Sequence, residues 1–263
     1  SACSVLRQEF EVPPSAETWA CVLAGFDRVN QSIECPMPIT PAVMDMDTRE
    51  LPSNVFERHA YVVGRELVTN GLDPKAAARY LASVTSRSRD ASRAVYLSAL
   101  LMLRERMYLS AFELLKSIEN APEASMDGVA LKDLVHLAQA RILFDNHRFL
   151  DSVYRYRLIP RTSRLWADAT YERAWAALWA GLYPEATGAV LALQDPALRP
   201  RRFVDAWLVT ATALQDHCAV ASHPKVVDEW GRRQAEEEGR FGPFRAALDG
   251  YLKSCATSCN DLL

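Results

Sequence analysis

The sequence predicts an all-α fold, a stack of about five antiparallel helix pairs, on three observations. First, a set of small and apolar residues recurs: Ala174, Tyr183, Ala186, Val190 and Leu193 have counterparts 34 positions earlier in Ala140, Phe149, Ser152, Tyr156 and Ile159. A step of 41 reaches Ala99, Tyr108, Ala111, Leu115 and Ile118, and a last step of 34 reaches Ala77, Leu81 and Val84. A period of this length is that of a stacked helix-turn-helix unit. Second, apolar residues make up 49% of the chain and glycine only 10 of 263, with little β-branched alternation, as in helix-rich globular proteins. Third, turn signals fall between the periodic stretches, among them Asn70-Gly71, Asp73-Pro74 and Gly181.

The elements follow in order. Residues 1–53 form a Pro-rich arm with six of the 14 prolines. Within it Trp19, Val22, Leu23, Phe26 and Val29 lie on one face of a helix that Ser15 caps. Residues 54–240 hold the helix pairs. The first pair is 54–69 and 74–86, with Asp73 as cap and Pro74 at the first helical position. The second is 90–105 and 108–119, and the loop from Pro122 to Gly128 absorbs the longer step. The third is 129–144 and 148–158, and the fourth 164–180 and 183–194. The fifth, 202–216 and 224–239, has a looser turn. Residues 241–263 are a capping helix and tail.

The small residues have a physical purpose. Two helices joined by a tight turn approach closely only where the facing side chains are small. Ala99, Ala140 and Ala174 supply that contact on first helices, and Ala77, Ala111, Ser152 and Ala186 on second helices. No pair buries its apolar face alone, so neighbours must stack.

These residues resemble the tetratricopeptide repeat (TPR), with a small residue on helix one, Gly at the turn, an aromatic two positions on, then Ala, and Pro at the end. Ala174, Gly181, Tyr183, Ala186 and Pro196 match that pattern. His147 and Arg106 stand where the pattern has Gly. The stretch 159–175 is similar to envelope TPR lipoproteins of gliding and predatory bacteria. The resemblance implies a TPR-like solenoid, a right-handed superhelical stack of about five antiparallel helix pairs whose first helices line a concave groove that grips a protein or peptide partner. In the register of Ala174 the groove candidates are Arg93, Tyr96, Arg104, Arg141, Phe144, Asp168, Tyr171 and Trp175. Aromatics and arginines are the usual anchors of such recognition.

All six cysteines lie in the first 35 or last 46 positions. Cys21, Cys35, Cys218, Cys255 and Cys259 are disulfide candidates, which implies an exported protein, periplasmic or outer-membrane-associated. Small residues precede Cys3, as at the end of a bacterial lipoprotein signal, so Cys3 is the lipidation candidate and the expected membrane attachment. No stretch of about 18 apolar residues exists to span a bilayer.

Chemistry is sparse. There is no Gly-rich phosphate loop, G-x-S-x-G or H-E-x-x-H, so no catalytic residue is expected. His217, Cys218, His223, Cys255 and Cys259 have the content of a zinc site but not the spacing of one, and a disulfide fits them better, so no metal and no cofactor is expected. The net charge of −3 argues against a nucleic-acid partner. A basic run of Arg141, Arg148, Arg155, Arg157, Arg161 and Arg164 with Tyr154, Tyr156 and Trp166 reads first as an ion-paired solvated face, and second as a patch for an acidic protein or anionic lipid. The function expected is a non-catalytic interaction scaffold of the bacterial envelope. Alternatives are a cytosolic TPR regulator or co-chaperone and, third, a metal-binding enzyme accessory domain.

Overall fold

The computed structural model describes Trp19, Leu23 and residues 48–121, 124–126, 128–193 and 206–216. Among these are α1 (Ser53–Thr69), α2 (Pro74–Ala82), α3 (Ala91–Arg104) and α4 (Tyr108–Ser117). A hairpin of β1 (Ser125–Met126) and β2 (Val129–Ala130) follows. Then come α5 (Leu131–Asp145), α6 (Phe149–Arg157), α7 (Trp166–Trp179), α8 (Tyr183–Ala192) and α9 (Ala206–Asp216). The second helix of the expected fifth pair, the capping helix and all six cysteines lie outside the described residues.

The chain divides into two compact units, Ser1–Ile142 and Leu143–Leu263, with the division inside α5. In the first unit α1 packs on α2 and α3 on α4, while α3 also contacts both α2 and α1. In the second unit α7 packs on α6 and α8, and α9 contacts both α8 and α7. The pattern is therefore the same in each: a helix meets its own partner and the first helix of the next pair. The structure is all-α and built from consecutive packed pairs, apart from the hairpin. That hairpin occupies the expected loop 122–128 and beyond, pairing Ser125 with Ala130 and Met126 with Val129 around Gly128, which has φ 73.

The turns show the repetition in atomic detail. At the first turn Gly71 N–H donates to Val68 O and Leu72 N–H to Leu67 O, with Gly71 at φ 66. The same two bonds recur from Arg106 to Leu103 and Met107 to Met102, and from His147 to Phe144 and Arg148 to Leu143. They recur again from Gly181 to Leu178 and Leu182 to Ala177. This is the Schellman ending, in which a left-handed residue lets the next amide reach back to the orphan carbonyls. Arg106 at φ 60 and His147 at φ 59 adopt it without being glycine. The second helices also end alike: Val84, Ile118, Ile159 and Leu193 each donate to the carbonyl three residues back. That tightening of the last turn stops α2, α4 and α8 short of their expected ends at 86, 119 and 194.

The small residues sit where the spacing places them. Ala77, Ala99, Ala111, Ala140, Ser152, Ala174 and Ala186 are all 0% exposed. The first pair has its own small residue, Gly64, 35 positions before Ala99; a Cβ there would lie 2.8 Å from Leu81 Cγ and Cδ2. The offset by one arises because the turn of the first pair carries an extra residue before Asp73. The Asp73 carboxylate accepts from Lys75 N–H (2.9 Å) and Ala76 N–H (3.0 Å), so the helix starts at Pro74.

The core of the first unit includes Val62, Val63, Leu67, Leu81, Leu115 and Val135. Trp19 and Leu23 are helical, fully or nearly buried, and belong to this core. Trp19 Nε1 donates to His59 Nδ1 at 3.1 Å, 40 residues away. The buried His59 ring has its pKa pushed down to about 4 by desolvation, so near neutral pH it stays an uncharged acceptor. Of the remaining N-terminal arm only residues 48–53 lie among the described residues, with a 3-10 helix at Thr48–Glu50 and Leu51 buried in the same core.

Candidate functional site

The expected groove residues fall on first helices at spacings of three, four, seven, eight and eleven, which puts each set along one helical face. In the first unit that face is built around a buried acid. Asp90, 1% exposed, precedes α3 and receives Arg58 NH1 of α1 at 2.8 Å and Arg93 NH1 of α3 at 2.7 Å. Arg93 also donates through Nε to Ser125 O at 2.7 Å, tying the hairpin to α3. The Arg58 guanidinium lies 5.2 Å from the centroid of the Tyr61 ring. Burial works against the Arg58 charge and lowers its pKa, and Asp90 offsets this only in part. Thus Arg93 occupies a built ion cluster rather than an open surface.

Tyr96 is 7% exposed, and burial pushes its hydroxyl above the ordinary range, with the Arg141 charge acting in the opposite sense. Arg104 is exposed, and its NH2 donates to Val68 O at 2.8 Å. That bond reaches the carbonyl end of α1, where cations complement the helix dipole. Arg141 is exposed on α5.

In the second unit, Asp168, Tyr171 and Trp175 form a half-buried line along α7. Phe144 is half-buried and meets Phe149 edge-on, with ring centroids 5.3 Å apart. Phe149 in turn meets His147 edge-on at 5.7 Å and stacks on Trp179 at 6.1 Å. Trp179 is 62% exposed, so this aromatic group opens to solvent at the turns. Spacing did not single out Trp179, because only the turn geometry brings it over Phe149.

The basic run is held by specific contacts. Arg148 pairs with Asp151 at 2.7 Å. Arg157 Nε and NH2 donate to the two oxygens of Glu185, at 3.1 and 2.7 Å. That hydrogen bond holds the Glu185 carboxyl below its ordinary range, aided by the Arg157 and Arg173 charges and opposed by desolvation. Arg173 Nε lies 3.5 Å from the same carboxylate. Arg161 sits 5.0 Å over the Trp166 ring, and the buried Tyr156 donates to Glu172 at 2.9 Å.

Among the described residues no group of three or more His, Cys, Asp or Glu is poised to hold a metal ion. No helix among them is long and apolar enough to cross a membrane. The candidates Cys3, Cys21, Cys35, Cys218, Cys255 and Cys259, with His217 and His223, all lie outside them. Compared with family models, curated proteins and solved structures, the chain finds no match in any of the three.

Proposed function

We propose that this chain is a TPR-like interaction scaffold that binds a protein or peptide segment along the face of its first helices. The observation that carries the reading is the recurrence, at four turns, of the same pair of backbone hydrogen bonds together with fully buried small residues on the adjoining helices. Within each unit, helix pairs repeated in this way present their first helices side by side, a face that suits an elongated ligand. The line Asp168, Tyr171 and Trp175 on α7 supplies half-exposed aromatic and acidic groups of the kind that anchor such ligands. In this reading Arg93 and Tyr96 hold the wall of the first unit, where Arg141 is the ligand contact, and Tyr171 and Trp175 are the ligand contacts of the second unit. The placement of all six cysteines in the first 35 or last 46 positions supports work in an oxidising compartment, the bacterial envelope.

A photo-reactive amino acid placed at Tyr171 or Trp175 in the native host tests the binding face. Crosslinks to one defined partner from these positions, and none from Lys116 on α4, support it. Equal labelling from all three positions, or none, overturns it. Replacing Tyr171 and Arg141 together by Ala is expected to weaken the crosslinked complex with little change in melting temperature; a large drop in melting temperature would assign the two to packing instead. Six free thiols in the native protein would overturn the envelope placement.

A further inference from the structure

Trp19 is held by an acceptor that works only while uncharged. Its indole Nε1–H donates to Nδ1 of His59 on α1 at 3.1 Å, and both side chains are fully buried. An indole nitrogen only donates, so Nδ1 presents its lone pair and the proton of neutral His59 sits on Nε2. That Nε2, also buried, has no hydrogen-bond partner among the described residues. The ring is met edge-on by Trp19, with centroids 5.6 Å apart, and by Tyr80 of α2 at 5.9 Å. A glutamine oxygen would serve a buried indole at every pH. Histidine serves it only when neutral, and here its second nitrogen brings the fold no hydrogen bond. What this residue type adds is sensitivity to protons.

Protonation reverses the contact. Both ring nitrogens then carry a hydrogen, and Nδ1–H faces the indole N–H with no acceptor between them. The titratable side chain that meets the ring is Tyr80, a phenol without charge in acid. The surrounding carboxylates are engaged elsewhere: Glu57 accepts from Thr85 Oγ1, Glu66 holds Arg65, and Asp90 holds Arg58 and Arg93. Neither these charges nor Lys75 and Arg79 of α2 act on His59; burial lowers its pKa to about 4. We propose that Trp19 and His59 form an acid-released latch, in which protonation of His59 expels Trp19 and uncovers the part of the first unit that it covers. Leu23, four residues on and helical like Trp19, belongs to the same core and leaves with it. Once Trp19 has left, His59 returns to its ordinary 6.5, against about 4 when covered. Docking is therefore at full strength above pH 6.5 and weakens about tenfold per pH unit toward 4, roughly 300-fold in all.

The test is NMR on the full chain with isotope-labelled indole nitrogens, the Trp19 signal being the one that Trp19→Phe removes. Protection of its N–H from solvent exchange, relative to a free indole at the same pH, reads the docking equilibrium. In the wild type it is expected to fall about tenfold per unit between pH 6.5 and 4. The other indole signals and the helical circular dichroism are expected to hold over that interval. His59→Gln keeps an uncharged acceptor, so its protection stays flat. Wild-type protection that ignores pH overturns the latch, as does an equal fall in His59→Gln. Loss of every indole signal together with the helical signal also overturns it, since Trp19 would then leave only with global unfolding. If His59→Gln does not fold, the wild-type His59 ring signal decides. A ring that titrates in step with the loss of Trp19 protection supports the latch, and one that titrates without that loss overturns it.

Discussion

Replacing Gly64 by Ala separates close helix packing from helix propensity. Gly64 is buried in α1, and a Cβ there would lie 2.8 Å from both Cγ and Cδ2 of Leu81 and 3.4 Å from its backbone nitrogen. Carbon atoms prefer a separation of about 3.5–4.0 Å. Turning the Leu81 methyl aside does not suffice, because the branch carbon is also too close and Leu81 is only 2% exposed. Either Leu81 leaves its rotamer or α1 and α2 move apart, and such overpacking costs about 1–3 kcal/mol. Against this, Ala gains about 1 kcal/mol over Gly in a helix interior. Gly188, on the exposed face of α8, has nothing within 4 Å of its added Cβ, so Gly188→Ala receives the propensity gain alone. The propensity contribution cancels between the two variants, which leaves the steric cost as their difference, roughly 2 kcal/mol. For a chain of this size that separates the melting temperatures by about 4–8 °C. Thermal and urea unfolding followed by circular dichroism measure it; if the two units unfold separately, each variant is compared with the transition it shifts. A Gly64→Ala protein as stabilised as Gly188→Ala would refute the close contact between α1 and α2.

Further outcomes follow from the turns and the buried polar groups. Arg106→Gly is expected to stabilise by about 1 kcal/mol, since Arg106 holds φ 60 and a left-handed L-residue is strained by roughly that amount; His147→Gly gains less, because its ring also packs on Phe149. Asp90→Ala is expected to cost about 3 kcal/mol in urea unfolding, by leaving the partly buried Arg58 without its carboxylate. His59 imposes a pH dependence. Its folded pKa of about 4 lies below the ordinary 6.5, so the unfolded chain takes up a proton first as pH falls. Stability is therefore full above pH 6.5 and declines toward pH 4, by at most roughly 3 kcal/mol. His59→Gln should flatten that interval in a urea series, and an unchanged slope would remove the assignment.

Local pattern made most of the repeat legible before any tertiary information. The periodic alanines and Ser152 mark contacts that exclude larger side chains, and all are fully buried. Asp73-Pro74 and Gly181 mark a helix start and a turn by chemistry confined to a few residues. Gly64 was within reach of the same reasoning, but the extra residue in the first turn shifts it by one from the strict period. The candidate groove was legible only as a face. Sequence spacing places Tyr96 and Arg93 on it, but only the fold buries Tyr96 and binds Arg93 to Asp90 and Ser125.

What the sequence by itself determined is the order of the helices, their turns and the small residues between them, because each depends on neighbours within one pair. What only the tertiary structure decided depends on residues far apart in the chain. Arg58 meets Asp90 across 32 positions, and Trp19 meets His59 across 40. Arg106 and His147 are held left-handed although their side chains disfavour it, because the Schellman hydrogen bonds and the packed pair over-determine the turn. The exposure of Leu150 and Tyr154 on α6 belongs to the same class: both residues are visible in the sequence, but that they face water is a property of the fold.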